Sequence, residues 1–111
     1  MVYTLANQTI TTTDTPQRFN GSGGARVPAT WVNILANDDN SGDLYVGGAD
    51  PTSAATKQSS LVNQTSGTGI KLTAGSSMFF PVVSTTTPYD LHEMWVSGTA
   101  DDVFSITYLV K

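Results

Sequence analysis

The clearest pattern in the chain is a regular alternation of apolar and mixed positions over residues 102–110. Phe104, Ile106, Tyr108 and Val110 fall on one side of this stretch, and more polar residues lie between them. A period of two is the signature of an extended strand, whose side chains point alternately to opposite faces. No stretch of ten residues shows the 3.6-residue repeat of an amphipathic helix. The sequence therefore predicts an all-β protein.

Further short runs are rich in β-branched and aromatic residues and are separated by Gly, Pro, Asn, Asp and Ser. β-branched and aromatic residues suit extended backbone, whereas Gly, Pro, Asn, Asp and Ser suit turns. About eight short strands separated by turns predict an antiparallel, jelly-roll-like β-sandwich. The other predicted strands are residues 2–6, 8–13, 30–36, 43–46, 69–72, 77–83 and 91–97, and residues 17–19 are a candidate for a short edge strand.

Two pairs of neighbouring strands are predicted to be hairpins. A turn rich in Asp and Asn makes residues 30–46 one candidate, and the compact loop 98–101 joins the last two strands into another. The run 30–36 is apolar at both parities, which predicts a strand that is covered on both faces.

The strand that contains Pro81 is predicted to have one buried face. Met78, Phe80 and Val82 share the parity that points to the core, and Phe79 points the other way. Because proline has no amide hydrogen to donate to a neighbouring strand, Pro81 places this strand at a sheet edge or a bulge.

The length of 111 residues fits a single domain, residues 1–111. Residues 1–7 are a candidate N-terminal arm. Residues 49–69 show no clear periodicity and form a predicted long polar loop. Loops of this length inside a compact domain are uncommon and are often functional.

Charge and composition exclude several classes of function. The net charge is −4, only 13% of the residues are charged, and the five Lys and Arg residues are scattered, so a nucleic-acid-binding surface is not expected. There is no cysteine and no apolar run long enough to cross a membrane. The N-terminus lacks the pattern of a signal peptide. We therefore expect synthesis in the cytoplasm and no membrane partner.

The chain offers no convincing catalytic or metal-binding motif. His92 is the single histidine and lies in a predicted strand, with no neighbour in sequence that marks it as a base. The turn at residues 38–43 resembles a calcium loop superficially, but Gly42 stands where a third ligand belongs and no Glu closes the loop. We expect a protein that is not an enzyme and has no cofactor and no bound metal.

Four segments together resemble a class of small virion proteins of bacteriophages and prophages. The first two, 31–37 and 42–48, form a strand, a turn and the run Leu44-Tyr45-Val46-Gly47-Gly48. The third, 69–77, is a glycine and an apolar strand followed by an alanine-glycine-serine turn. The fourth, 94–102, contains the run Val96-Ser97-Gly98-Thr99-Ala100 before the last strand.

The resemblance implies a β-sandwich that is displayed on a virion, and it spans roughly residues 8–110. It implies, as the commonest role, a head decoration (cement) protein on the capsid surface, with the major capsid protein as partner. It is compatible with a homo-oligomer, for which a trimer is favoured. A tail or fibre adaptor, or a receptor-binding virion component, is the main alternative. The segment 49–68 is longer than the usual connection at this place in the class.

The residues predicted to touch a partner are apolar and lie in the arm or in the later strands. The arm would use main-chain hydrogen bonds to join a neighbouring sheet, and exposed aromatic or proline side chains would act as anchors. For each of these residues, packing in the core or at its rim is the alternative. Trp31, Trp95 and Tyr89 on a sandwich also suggest a carbohydrate-binding module. The candidate contact residues are Val2, Tyr3, Leu5, Phe79, Pro81, Pro88, Tyr89 and Trp95.

Overall fold

A computed structural model describes residues 1–5, 7–20, 26–47, 69–82 and 87–111. These residues form two antiparallel sheets that pack face to face, and no α-helix occurs among them. The predicted all-β sandwich is therefore confirmed. The predicted long loop, 49–69, lies outside the described residues apart from Gly69.

The described part of the chain contains ten strands, two more than the approximate number predicted, and three of the ten are only two residues long. A single 3-10 turn, Leu91–Glu93, lies between the eighth and ninth strands. The strands are β1 (Val2–Thr4), β2 (Gln8–Thr9), β3 (Gln17–Arg18), β4 (Pro28–Ala36), β5 (Leu44–Gly47), β6 (Ile70–Leu72), β7 (Ser77–Phe80), β8 (Tyr89–Asp90), β9 (Trp95–Ser97) and β10 (Val103–Val110).

The larger sheet has the strand order β1-β10-β4-β7, with β2 beside β10 and β8 beside β4. The smaller sheet has the order β3-β9-β5-β6. The longest pairing joins β4 to β10, from Phe104 opposite Ala36 to Leu109 opposite Trp31. These two long strands form the centre of the larger sheet and fix which side chains share each of its faces.

The core lies between the two sheets and is built from the inner parity of each strand. Phe19 follows β3 and is fully buried, with its ring centroid 6.4 Å from the rings of Phe80 and Phe104 on the opposite sheet. The buried residues that form this core cluster are Ile10, Phe19, Ala29, Val32, Ile34, Ala36, Leu44, Val46, Leu72, Leu91, Met94, Val96, Phe104, Ile106 and Tyr108.

The predicted faces of the last strand are confirmed for most of its length. Phe104, Ile106 and Tyr108 are buried, while Val110 at the end of the strand is exposed. In β7, Met78 alternates with the exposed Phe79 as predicted. The strand also lies at a sheet edge, as its proline indicated.

The prediction that Val82 faces the core is wrong. The strand β7 ends at Phe80, and Val82 is exposed two residues later. The alternation that assigns residues to faces applies only while the backbone stays extended in a sheet, so it gives no information past Pro81.

Both predicted hairpins are wrong. The strands β4 and β5 lie in different sheets, and so do β9 and β10. The connection to β10 passes through Gly98 and through Asp101, which has a φ of 75°. Gly98 is buried, and a Cβ there would lie 2.7 Å from the Leu44 Cδ2 atom. Each of these turns therefore carries the chain across the sandwich instead of folding a strand back beside its predecessor.

Two further predicted strands are also shorter than expected. The run 8–13 is extended only at Gln8–Thr9. The run 91–97 begins as the 3-10 turn, because the Asp90 carboxylate accepts a hydrogen bond from the His92 amide and caps that turn. His92 therefore lies in a turn and not in a strand.

Candidate docking surface

The outer face of the larger sheet is lined by the parity opposite to the core. Residues directly opposite each other in an antiparallel pair share a face. The register aligns Val2 with Leu109 and Leu109 with Trp31, and it aligns Asn33 with Phe79. These side chains therefore form one continuous surface across four strands.

Three apolar members of this surface are about half exposed, and Trp31 and Leu109 are partly buried. Phe79 and Val2 each expose 53% of their surface, and Leu35 exposes 43%. Trp31 contacts Phe79 across the strands, with ring centroids 5.5 Å apart and planes tilted by 50°. We call the set formed by Val2, Trp31, Leu35, Phe79 and Leu109 the outer apolar stripe.

The four strands below this stripe contain no charged residue. Thr, Ser and Asn fill the positions between the apolar side chains, including Thr4, Asn33, Ser77, Ser105 and Thr107. Charged groups are depleted from the centres of protein interfaces, because they lose hydration there. The stripe therefore has the composition of an interface centre.

Three of the predicted contact residues are exposed on or beside this surface. Val2 and Phe79 belong to the outer apolar stripe, and Pro81 follows β7 and is exposed. Tyr3 points to the other face of the sheet, where its ring stacks on Tyr108 at 5.9 Å between centroids and stays 45% exposed. The structure therefore separates Tyr3 from the other three.

The remaining predicted contact residues take part in packing. Leu5 and Tyr89 pack partly buried against the core, and the Tyr89 hydroxyl donates a 2.6 Å hydrogen bond to the Pro81 carbonyl oxygen. Pro88 is partly buried beside Tyr89. Trp95 lies on the other sheet and is only 6% exposed, so little of its surface is left for a partner.

Trp95 is covered by a neighbouring edge strand. The Arg18 guanidinium carbon lies 4.3 Å from the centroid of a Trp95 ring, in the geometry of a cation–π contact. Arg18 also donates a hydrogen bond to the His92 carbonyl oxygen. Arg18 thus links the smaller sheet to the 3-10 turn, and its guanidinium group interacts with Trp95 and with the His92 carbonyl oxygen of the same chain.

Sequence reasoning missed Leu35 and Leu109 and assigned Trp31 only to sugar binding. The signal was present in the run 30–36, which is apolar at both parities. That pattern predicts cover on both faces, but in the described structure only the inner face of β4 is covered. An apolar outer parity that no described element covers is itself an indication of a surface that needs a partner.

The acidic turn near residue 40 is held by the protein's own amides. The Asp102 carboxylate accepts hydrogen bonds from the amides of Ser41 and Gly42 at 2.9 and 3.0 Å. Asn40 exchanges side-chain hydrogen bonds with the Val103 backbone. Among the residues described, no group of three His, Asp or Glu side chains is placed to hold a metal ion.

His92 lacks the surroundings of a general base. Its Nδ1 atom lies 3.3 Å from the Asn20 Oδ1 atom. The nearby carboxylate of Asp90 bonds the His92 backbone amide and not the ring. Catalysis by histidine needs a ring that is oriented toward a reacting group, and this ring is instead paired with an amide.

Asp90, like Asp102, is a buried acid among the described residues. Its carboxylate accepts hydrogen bonds of 3.0, 3.0 and 2.9 Å from the Val27 amide, the His92 amide and the Arg26 Nε atom. Burial by itself raises the pKa of Asp90, but these three donors and the arginine charge outweigh it, so the pKa lies below its usual value. The group is a structural clamp between β8, the 3-10 turn and the start of β4.

Comparison with known proteins gives no relative. No protein-family model, no curated protein and no solved structure matches the chain significantly. Among the described residues, no helix is long and apolar enough to cross a membrane.

Proposed function

We propose that this protein is a structural component of a bacteriophage particle that docks through its outer apolar stripe. The observation that supports this most directly is the uncharged stripe itself, where Phe79 and Val2 are half exposed on a surface formed by four strands that contain no charged residue. Monomeric soluble proteins rarely expose a continuous apolar patch larger than roughly a few hundred Å², and a patch above that size commonly marks an interaction site.

The particular role we propose is head decoration, in which the chain binds the assembled capsid and stabilises it. The resemblance of residues 8–110 to small phage virion proteins supports this step, and the major capsid protein is the proposed partner. The site of action is then the capsid surface. A ligand that binds only the assembled state shifts the equilibrium toward that state. An uncharged stripe suits this task, because few long charged side chains must be dehydrated and ordered on contact.

The proposal includes neither catalysis nor a cofactor. A homo-oligomer is part of it. A tail or fibre adaptor is the second candidate from the same resemblance, and the stripe serves either role equally well.

Replacing Phe79 by serine is expected to weaken binding to the particle by at least tenfold, about 1.4 kcal/mol or more, because the contact would lose a half-exposed aromatic anchor. The measurement is the occupancy of particles that have been stripped of the protein and titrated with each variant. Ile70→Ser is the matched control, since Ile70 is 48% exposed on the smaller sheet. If Phe79→Ser and Ile70→Ser bind the particle equally well, the outer apolar stripe is not the docking surface.

The number of copies on purified particles separates the two virion roles. A head decoration protein is expected to be present in numbers comparable with the major capsid protein, because each lattice position repeats the same contact. A tail adaptor is expected in a few copies. A stained gel of purified virions measures the ratio, and a preparation without the band would contradict both roles.

A carbohydrate-binding module gains little from the structure. Trp31 lies on the outer face of the larger sheet, whereas Trp95 is buried in the smaller sheet and Tyr89 packs toward the core. The three aromatic residues that suggested this function therefore form no common platform.

A further inference from the structure

The described sheets have four edges, and three of them are protected against pairing with another chain. Edge strands that expose free backbone groups are commonly blocked by charge, proline or short length. The strand β3 is two residues long and includes Arg18, and β6 includes Lys71. The strand β7 ends before Pro81, whose carbonyl oxygen accepts the hydrogen bond from the Tyr89 hydroxyl.

The fourth edge, β1, contains neither a charged residue nor a proline, although with three residues it is also short. Its three residues, Val2–Thr4, are uncharged and exposed, and no described strand pairs with its outer side. The pairing on β10 shifts between Thr4, which lies opposite Thr107, and Gln8, which lies opposite Phe104. Four steps along the edge match three along β10, so β1 and β2 pair with β10 in registers that differ by one residue.

The direction of the free backbone groups of β1 follows from its bonds to β10. The Val110 amide donates to the Met1 carbonyl oxygen, and the Leu5 amide donates to the Ile106 carbonyl oxygen. Because bonding alternates along an antiparallel strand, the amides and carbonyls of Val2 and Thr4 point away from the sheet. Tyr3 lies midway between these two outward-facing residues.

We propose that two copies of this chain form a dimer through antiparallel pairing of their β1 strands, with the two-fold axis passing between the two Tyr3 residues. Val2 of one copy exchanges backbone hydrogen bonds with Thr4 of the other, and the reverse pair follows by symmetry. The edge is self-complementary in this arrangement, because its outward donors and acceptors are placed symmetrically about Tyr3.

Side-chain packing favours the same arrangement. Tyr3 already stacks on Tyr108 within one copy and is 45% exposed. On the two-fold axis the two Tyr3 residues form a pair without backbone hydrogen bonds, the kind in which side chains come closest. Their rings extend the stack across the dimer. Since β1 has no charged residue, the net charge of −4 on each copy does not concentrate repulsion at the seam.

The pairing also enlarges the docking surface. The outer face of β1, β10, β4 and β7 covers roughly 400 Å² at a strand spacing of about 4.8 Å and a rise of about 3.4 Å per residue. A stable interface usually needs about 800 Å² on each partner. Two copies joined at β1 place their outer apolar stripes side by side on one continuous sheet and reach that size. This consequence rests on the proposed function, whereas the dimer itself does not.

The test is the mass of the purified protein in solution as its concentration is raised. The wild-type chain of 11.7 kDa is expected to approach twice that mass in sedimentation or light scattering. Thr4→Pro is expected to raise the dissociation constant at least about tenfold, because both copies lose an outward amide donor. Proline is tolerated at an edge position whose amide faces solvent.

Thr4→Val is the matched control. Both variants lose the 3.4 Å contact between the Thr4 and Thr107 hydroxyls, but only proline removes the outward amide. The valine variant is expected to dimerise like the wild type. If the proline variant does not fold, amide hydrogen exchange of the wild type decides the question. Val2 and Thr4 amides are expected to exchange more slowly as concentration rises, while the Tyr3 amide does not change.

Three results would overturn the proposal. They are a wild-type chain that stays monomeric, a dimer that Thr4→Pro does not weaken, and a trimer, which this two-fold pairing cannot close. If the Val2 and Thr4 amides exchange more slowly only after a foreign strand-forming peptide is added, the β1 edge pairs with a different protein and not with a second copy. None of these results bears on the binding test with Phe79→Ser, because β7 lies at the opposite edge of the sheet.

Discussion

Replacing Phe19 by alanine is expected to lower the free energy of unfolding by about 3–5 kcal/mol, the usual range for removing a buried phenylalanine. Phe19 is fully buried, and its ring packs against Phe80 and Phe104 on the opposite sheet. Its removal leaves a cavity at the point where the two sheets meet. The measurement is thermal or chemical unfolding of the purified variant.

A loss of this size is a large part of the 5–15 kcal/mol that stabilises a typical domain. The midpoint of thermal unfolding should fall by about 4–6 °C for each kcal/mol lost. Phe79→Ala is the control, because that ring lies on the outer face and is 53% exposed. It is expected to change the free energy of unfolding by well under half as much. Equal losses would mean that the two sheets are not joined through Phe19.

Replacing Asp90 by alanine is expected to lower the free energy of unfolding by about 2–4 kcal/mol at neutral pH. The change leaves the amides of Val27 and His92 and the Arg26 guanidinium without their acceptor. Arg26 is 76% exposed in its side chain, whereas that of Asp90 is 4% exposed. After the substitution, water can hydrate the exposed Arg26 guanidinium more easily than the two amides. The loss of unfolding free energy should therefore come mainly from the unpaired amides of Val27 and His92.

The effect of Asp90 should depend on pH in a definite direction. Its pKa is lower in the folded protein than the value of about 3.9 for an unfolded chain. The stability that it contributes is therefore complete above the unfolded pKa and is lost as pH falls through the folded pKa. The difference in unfolding free energy between the wild type and Asp90→Asn should shrink below about pH 4.

Asp39→Asn is the matched control for the loss of one negative charge, since Asp39 is exposed in the turn after β4. The measurement is chemical unfolding of the three proteins at several pH values between neutral and strongly acidic. A difference between wild type and Asp90→Asn that stays constant over this range would show that ionisation of Asp90 does not stabilise the fold.

Docking on a particle and dimerisation would use different parts of the larger sheet. The outer apolar stripe is a face, so its contacts would depend on side chains such as Phe79. The free side of β1 is an edge, so its contacts depend mainly on backbone groups, which a change from Thr4 to valine leaves in place. This difference lets one set of variants separate docking from pairing.

Much of the local structure was predictable, because the alternation of side chains is a property of each extended segment. The inward parity of Phe104, Ile106 and Tyr108 and the outward position of Phe79 followed from it. So did the edge position of the strand before Pro81, since a missing amide hydrogen is visible in the sequence. Of the candidate site, the outward position of Phe79 followed for the same reason, whereas Val2 was predicted as part of an N-terminal arm.

The sequence by itself determined which segments are extended and which side chains alternate along them. Only the tertiary structure decided which strands pair, because pairing depends on contacts between residues far apart in the chain. A turn that crosses the sandwich and a turn that closes a hairpin use the same residues, so residues 30–46 and 91–110 were assigned to the wrong partners. For the same reason the sequence left open that Trp95 is covered by Arg18 while Leu35 remains uncovered among the described residues.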